Sequence, residues 1–312
     1  MATQSTSRHW SQRLLGVERR NWRPALLFVL PAFVLLLSIT IYPLVRTLAL
    51  SFVTLELSVS PVERFNGLGN FTKALTADPR FGNAMLNTAI LAVIGVTIQV
   101  VLGMALALMA SEMGRTRAVW VTLFMIPIMI APVVSGFQFR VIFNDTFGPL
   151  NYLIREVSNG TIRPPPWTAS TSTSLLTIMI TDIWQWTPFM LLLLLAGLDS
   201  LSQEVIEAAR VDGANYWQQL IRIKIPILLP ILIIGILIRM MDTFKTFDLV
   251  VLLTEGGPGS SSETVAYYTY VNGFKFFSMG YTAALAFIQL VVIVVVSRGF
   301  LSLQQRQRGD LR

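Results

Sequence analysis

The chain is 312 residues long, 54% hydrophobic and only 13% charged, with a mean hydropathy of +0.63. That leaves too little polar side chain to cover a water-soluble globule and points to a membrane protein. The net charge of +7 does not mark a nucleic-acid binder, because the basic residues flank apolar runs instead of gathering in one tract, and the absence of cysteine excludes disulfides, zinc–thiolate sites and a thiol nucleophile.

Residues 1–24 form a polar tail with Arg8, Arg13, Arg19, Arg20 and Arg23 against the single acid Glu18. Trp10, Leu14, Leu15, Val17 and Trp22 suit either an interfacial helix or a plain tether. The first apolar run, from about Ala25 to Ile41, is long for a signal-peptide core and is followed only by a weak small-residue site near Ala49-Leu50-Ser51, so it reads as a retained anchor. A membrane-spanning helix needs about 20 predominantly apolar residues. Six stretches qualify, at 25–45, 85–110, 118–142, 174–197, 226–252 and 280–302. The predicted fold is therefore an all-α membrane protein with six transmembrane helices in one domain over residues 25–302, followed by a tail at 303–312. Fourteen Lys and Arg lie in the two tails and in the loops at 111–118 and 198–225; nine lie on the other side, with Arg239 inside a span. This bias predicts that both termini and the 198–225 loop are cytoplasmic. The opposite loops carry turn and stiff-linker signals at Gly67-Leu68-Gly69-Asn70-Phe71, Arg163-Pro164-Pro165-Pro166-Trp167 and Gly256-Gly257-Pro258-Gly259, which suit simple connectors or a docking surface equally.

Polar groups within spans mark cavities or helix contacts, since ionisable residues are costly in hydrocarbon. In the fourth stretch, Asp182 is followed by Trp184, Gln185, Trp186, Thr187 and Pro188. Indole faces and hydrogen-bonding groups so mixed suit a sugar, or else an interfacial belt and a helix contact. In the fifth, Arg239, Asp242, Lys245 and Asp248 recur every third residue, a spacing for mutual neutralisation along a helix or for ligand contact. Gln99, Gln138 and Gln289 read as helix-to-helix hydrogen bonders, with Gln138 also a candidate for the substrate path, and Gly103 and Ala107 permit close helix approach. The candidates for the path are thus Asp182, Trp184, Gln185, Trp186, Asp242, Lys245 and Gln138. There is no phosphate-cradling Gly-x-x-x-x-Gly-Lys-Ser/Thr run, no His-Glu-x-x-His and no serine nucleophile elbow, and the lone His9 sits in the tail.

Residues 199–226 are the longest amphipathic segment, lying between two apolar runs. Ser200 and Gln203 have capping-box spacing, and Val205, Ile206 and Ala209 give a one-sided apolar stripe. Asp212-Gly213 ends that helix; Asn215 caps a second short one with Tyr216, Trp217, Leu220 and Ile221 on its apolar side, and Pro226 marks entry into the next span. The result is a compact knob outside the membrane.

Glu207-Ala208-Ala209, Asp212-Gly213-Ala214, Ile223 and Pro226 resemble the EAA loop of binding-protein-dependent ABC importer permeases of type I. Phe247-Asp248, Leu253-Thr254-Glu255-Gly256-Gly257-Pro258, Tyr270 and Gly280-Tyr281-Thr282-Ala283-Ala284 are similar to the carbohydrate-uptake branch, the maltose and glycerol-3-phosphate type. The resemblance implies a bacterial inner-membrane permease subunit for a sugar, polyol or glycerol derivative. It implies that Glu207, Ala208, Ala209, Asp212, Gly213, Tyr216, Trp217 and Leu220 form the coupling surface for an ATPase. It also implies a second homologous permease, two ATPase subunits that hold ATP and magnesium, and a periplasmic binding protein, with no cofactor and no covalent catalysis in this chain. The rival readings are a secondary transporter driven by an ion gradient, for which Asp182 is the candidate ionisable residue, and an intramembrane enzyme, for which no catalytic set exists.

Overall fold

The computed structural model describes residues 22–310. Among them five helices are long and apolar enough to cross a membrane: Leu27–Ser51, Pro79–Glu112, Ser174–Asp199, Tyr216–Thr243 and Met279–Ser302. A bent pair, Arg117–Met129 with Pro132–Ile142, makes a sixth when taken as one span. In chain order these are spans 1 to 6, the bent pair being span 3. Helix dominates because hydrocarbon offers a backbone N–H or C=O no water to bond, so each must be satisfied within its own segment. The interfacial helix expected of residues 10–22 and the lone His9 fall, apart from Trp22, outside the described residues.

The chain divides into two compact units, residues 1–49 and Leu50–Arg312. In the first, the apolar side chains of span 1 from Leu27 to Val45 are exposed. In the second, spans 2 and 4 pack closely at Gly103, where an added Cβ would lie 2.5 Å from Met190 Cβ and 3.0 Å from the Leu191 backbone nitrogen. This is the small-residue approach expected there. One buried cluster, including Ala107, Leu194, Leu198, Leu220 and Leu228, joins spans 2, 4 and 5 beside the 199–226 segment. Toward the other end, Phe139, Phe143, Ile178, Val250 and Tyr267 form a second cluster, and Phe81, Val265, Tyr268, Tyr281 and Leu285 a third.

Three features depart from the expectation. Span 3 is not a straight helix over 118–142: it breaks after Met129 and turns by 92° before Pro132. The pyrrolidine of Pro132 disfavours the helical conformation at the residue before it, and Ala131 is extended, at φ −60° and ψ 140°. Span 5 stops at Thr243 instead of running to 252. The carbonyls just past its end find side-chain donors instead of a further helical turn, Gln289 Nε2 giving a hydrogen bond to Phe244 O at 2.8 Å and Thr264 Oγ1 one to Thr246 O at 2.8 Å. The chain resumes as a separate short helix at Asp248–Leu253. The all-α expectation also missed a β-hairpin, β1 (Val53–Glu56) with β2 (Ser60–Phe65), pinned by Asn70 Nδ2, which donates to Ser51 O and Val53 O at 3.0 and 2.9 Å. The helix that carries span 6 continues through Asp310, so the stretch 303–310 after the span is helical.

Candidate functional site

The knob between spans 4 and 5 forms as two short helices, Gln203–Val211 and Tyr216–Gln219, the second continuing directly into span 5. The expected Ser200–Gln203 capping box is absent. Ser202 holds the N-cap position without a side-chain cap, while Ser200 Oγ donates back to Gly197 O at 2.7 Å, at the end of span 4. The turn after the first helix is as expected: Gly213 takes φ +80°. Ala214 N donates to Ala209 O at 2.9 Å and Gly213 N to Arg210 O at 3.1 Å, the paired bonds that close a helix through a left-handed residue. Asn215 and Gln218 make a reciprocal capping box, each side chain bonding the other's backbone N–H at 2.9 Å.

This folding sorts the knob residues. Ile206 and Ala209 are buried and Val205 is not. Glu207, Ala208, Asp212, Tyr216 and Trp217 are exposed, with Trp217 at 66%. Leu220, expected on the contact surface, is instead 7% exposed and packs with Leu194, Leu198 and Leu228, because the helix of span 5 begins at Tyr216 and carries Leu220 onto its inward side. Val211, unassigned in the sequence, is exposed at the end of the first knob helix, just before the turn.

The second polar region lies where spans 2, 4 and 5 meet. Arg239 is 1% exposed and makes four attachments. Its Nε donates to Gln99 Oε1 at 2.9 Å, its Nη1 to Asp242 Oδ2 at 2.6 Å, and its Nη2 to both oxygens of Asp182 at 3.1 and 2.9 Å, while its guanidinium lies 4.4 Å from the Trp186 ring centroid. Gln99 Nε2 adds a bond to Asp182 Oδ2 at 2.7 Å. A buried charge of this kind persists only when paired and hydrogen-bonded, as here. Asp182 is therefore the partner of a buried arginine, which removes the feature that suggested an ion-coupled site.

Two recesses, of about 110 and 250 Å³, share Trp186, Asp242 and Lys245 as walls. Asp182, Gln185, Pro132 and Asp248 line the smaller, and Phe189 and Arg239 the larger. Gln185 Nε2 donates at 2.9 Å to Ile130 O, the carbonyl freed by the break in span 3, and its Oε1 is buried without a partner. Asp182, Gln185, Trp186, Asp242 and Lys245 are thus brought together around one recess. Trp184 and Gln138 are not: Trp184 points to the other side of span 4, its ring 5.1 Å from that of Phe139, and Gln138 is exposed on the second half of span 3. The spacing of Arg239, Asp242, Lys245 and Asp248 does not run along one helix, since only the first two lie within span 5. Gln289 and Gln99 bond across helices as expected. Pro132 and Phe189 were missed as wall residues; the Pro127–Pro132 pair was the sequence signal for the break that brings Pro132 in.

A polar recess set among helices of membrane-crossing length is what a permease, which passes a polar solute across the bilayer, requires. A family model described as binding-protein-dependent transport system inner membrane component matches residues 99–309, and the chain belongs to that family. It is 34% identical over 271 residues to the probable ABC transporter permease protein y4oQ of Sinorhizobium fredii, covering 86% of each chain. It is 32% identical over 288 residues to the trehalose transport system permease protein SugA of Mycobacterium tuberculosis, covering 92% of this chain and 91% of that one. A crystal structure of a bacterial ABC transporter involved in import of the acidic polysaccharide alginate has the same fold, with a TM-score of 0.79 at 20% identity, over 96% of this chain and 99% of that one.

Proposed function

We propose that this permease passes a sugar, polyol or related small carbohydrate inward, driven by ATP hydrolysed on separate subunits. The observation that carries the substrate class is the similarity along nine-tenths of the chain to a permease named for trehalose transport. The cavity chemistry supports it, since an indole face packs on sugar C–H groups while Asp242, Lys245 and Gln185 offer hydrogen bonds.

The knob at 199–226 is the coupling element in this reading. Glu207, Ala208, Asp212, Gly213, Tyr216 and Trp217 meet a groove of the ATPase, and Leu220 anchors the knob from inside. Closure of two ATPase subunits moves the knob, and through the packed ends of spans 2, 4 and 5 the cavity changes the side to which it opens. A second homologous permease and an extracytoplasmic binding protein complete the assembly, with both termini of this chain in the cytoplasm by the distribution of Lys and Arg. ATP and magnesium belong to the ATPase subunits, for this chain has no phosphate-binding loop.

Affinity purification of the chain from its native membrane tests the assembly. A P-loop ATPase is expected to copurify with the wild type and to be lost from Trp217→Asp, a change at an exposed side chain outside the packed core. Recovery of the chain without an ATPase overturns the proposal.

A further inference from the structure

Arg239 has no freedom to serve a ligand. Three of its nitrogens are already committed to Gln99, Asp182 and Asp242, and its flat face lies over Trp186. What it does is fix its neighbours. Asp242 is held through Oδ2, while its Oδ1 has no hydrogen bond among the described residues and its side chain is 43% exposed at the cavity. Trp186 has one face against the guanidinium and borders both recesses. Gln185 is fixed in a similar way, its amide nitrogen tied to Ile130 O and its oxygen unpartnered in the same wall.

The groups so presented are therefore acceptors. Gln185 Oε1 is a buried acceptor without a donor, which is costly, and Asp242 Oδ1 stands open at the cavity to accept one. The charges around the two recesses, three carboxylates (Asp182, Asp242, Asp248) against Arg239 and Lys245, do not favour an anion. We propose that Arg239 is a positioning residue of the permeation site: it orients Asp242 and Trp186 so that the cavity presents a carboxylate oxygen and an indole surface to an uncharged, hydroxyl-rich ligand that donates to them. This rests on the reading of the cavity as the solute path.

The test uses the complete importer, purified with its partner subunits and binding protein and reconstituted in proteoliposomes with internal ATP. Uptake of radiolabelled trehalose, maltose and glycerol is compared with that of digalacturonate. Uptake of one of the neutral compounds is expected; transport of digalacturonate alone, or of none of the four, overturns the uncharged-ligand assignment. With the transported compound, Asp242→Asn and Trp186→Ala are expected to raise KM by about tenfold to a hundredfold, the scale of a charge-assisted hydrogen bond or a buried aromatic contact. Arg239→Met strands Asp182 in the interior and is expected to lower the yield of folded complex. The double variant Arg239→Met/Asp182→Leu removes that stranded charge, and its KM is still expected to rise about tenfold, with Arg239→Lys intermediate because an ammonium lacks the planar fork. A purely structural Arg239 would lower Vmax through the amount of complex and leave KM unmoved. Wild-type KM in the double variant, with KM raised in Asp242→Asn, overturns the positioning role alone. Wild-type KM in both Asp242→Asn and Trp186→Ala overturns the cavity as the solute path.

Discussion

Asp78 shows how one side chain ties distant parts of the chain together. It caps the start of span 2 by accepting from Phe81 N at 3.1 Å, and its Oδ2 accepts from the hydroxyls of Tyr268, at 2.6 Å, and Tyr281. Partial burial alone would push its carboxyl up, but these donors together hold it below the ordinary value of 3.8. Tyr268 is pushed up to about 12, first by burial and then by the same hydrogen bond. A depressed carboxyl contributes stability that is present above the unfolded value of 3.8 and is lost as pH falls through the still lower folded one; a raised phenol contributes stability present below 10 and lost as pH rises through about 12. Asp78→Asn is accordingly expected to destabilise the protein by about 1–2 kcal/mol at pH 7. Melting of wild type and variant in detergent from pH 7 to pH 3 checks this: the gap should shrink once the pH falls below 3.8, and a constant gap would argue against the capping carboxylate. The spacing of Asp78 before Pro79 and Phe81 is legible as a helix start, but its two tyrosine partners lie about 190 and 203 positions away, beyond any local pattern.

At the level of elements, the knob depends on the left-handed residue that separates its two helices. An added Cβ at Gly213 meets nothing within 4 Å, so only the backbone conformation at φ +80° resists substitution. Gly213→Ala should therefore cost about 1–2 kcal/mol, and Gly213→Pro considerably more, since proline cannot adopt that φ and also removes the bond from Gly213 N to Arg210 O. Uptake by the reconstituted importer should fall modestly in the first variant and vanish in the second with the protein still in the membrane; normal uptake by Gly213→Pro would remove the knob from the transport mechanism. The sequence placed this turn correctly because Gly and Asn carry their conformational signal locally. It misplaced the helix start at Ser200, since Ser200 sits on the end of span 4 and spends its hydroxyl on Gly197 O.

For the whole molecule, the question is the source of energy. Asp182 is neutralised within the bundle by Arg239, whose other terminal nitrogen pairs with Asp242. Uptake in membrane vesicles should therefore persist when a protonophore collapses the proton gradient at constant ATP, and stop when ATP is depleted with the gradient intact. The reverse pattern would restore the ion-driven reading.

Composition and the length of the apolar runs were enough to determine a helical membrane protein with as many as six spans, because hydrocarbon thickness and the need to satisfy the backbone act on each segment separately. The knob was legible for a similar reason: its caps and its glycine are short-range devices. The cavity was legible only as a set of suspects. Trp184 and Trp186 are two residues apart, about 200° around a helix, so one must turn away when the other faces the cavity, and only packing against Phe139 decides which. The break in span 3, the end of span 5 and the convergence of Gln99, Asp182 and Arg239 belong to tertiary structure. Each depends on which distant donor or acceptor satisfies a buried polar group, and that pairing exists only once the helices have packed.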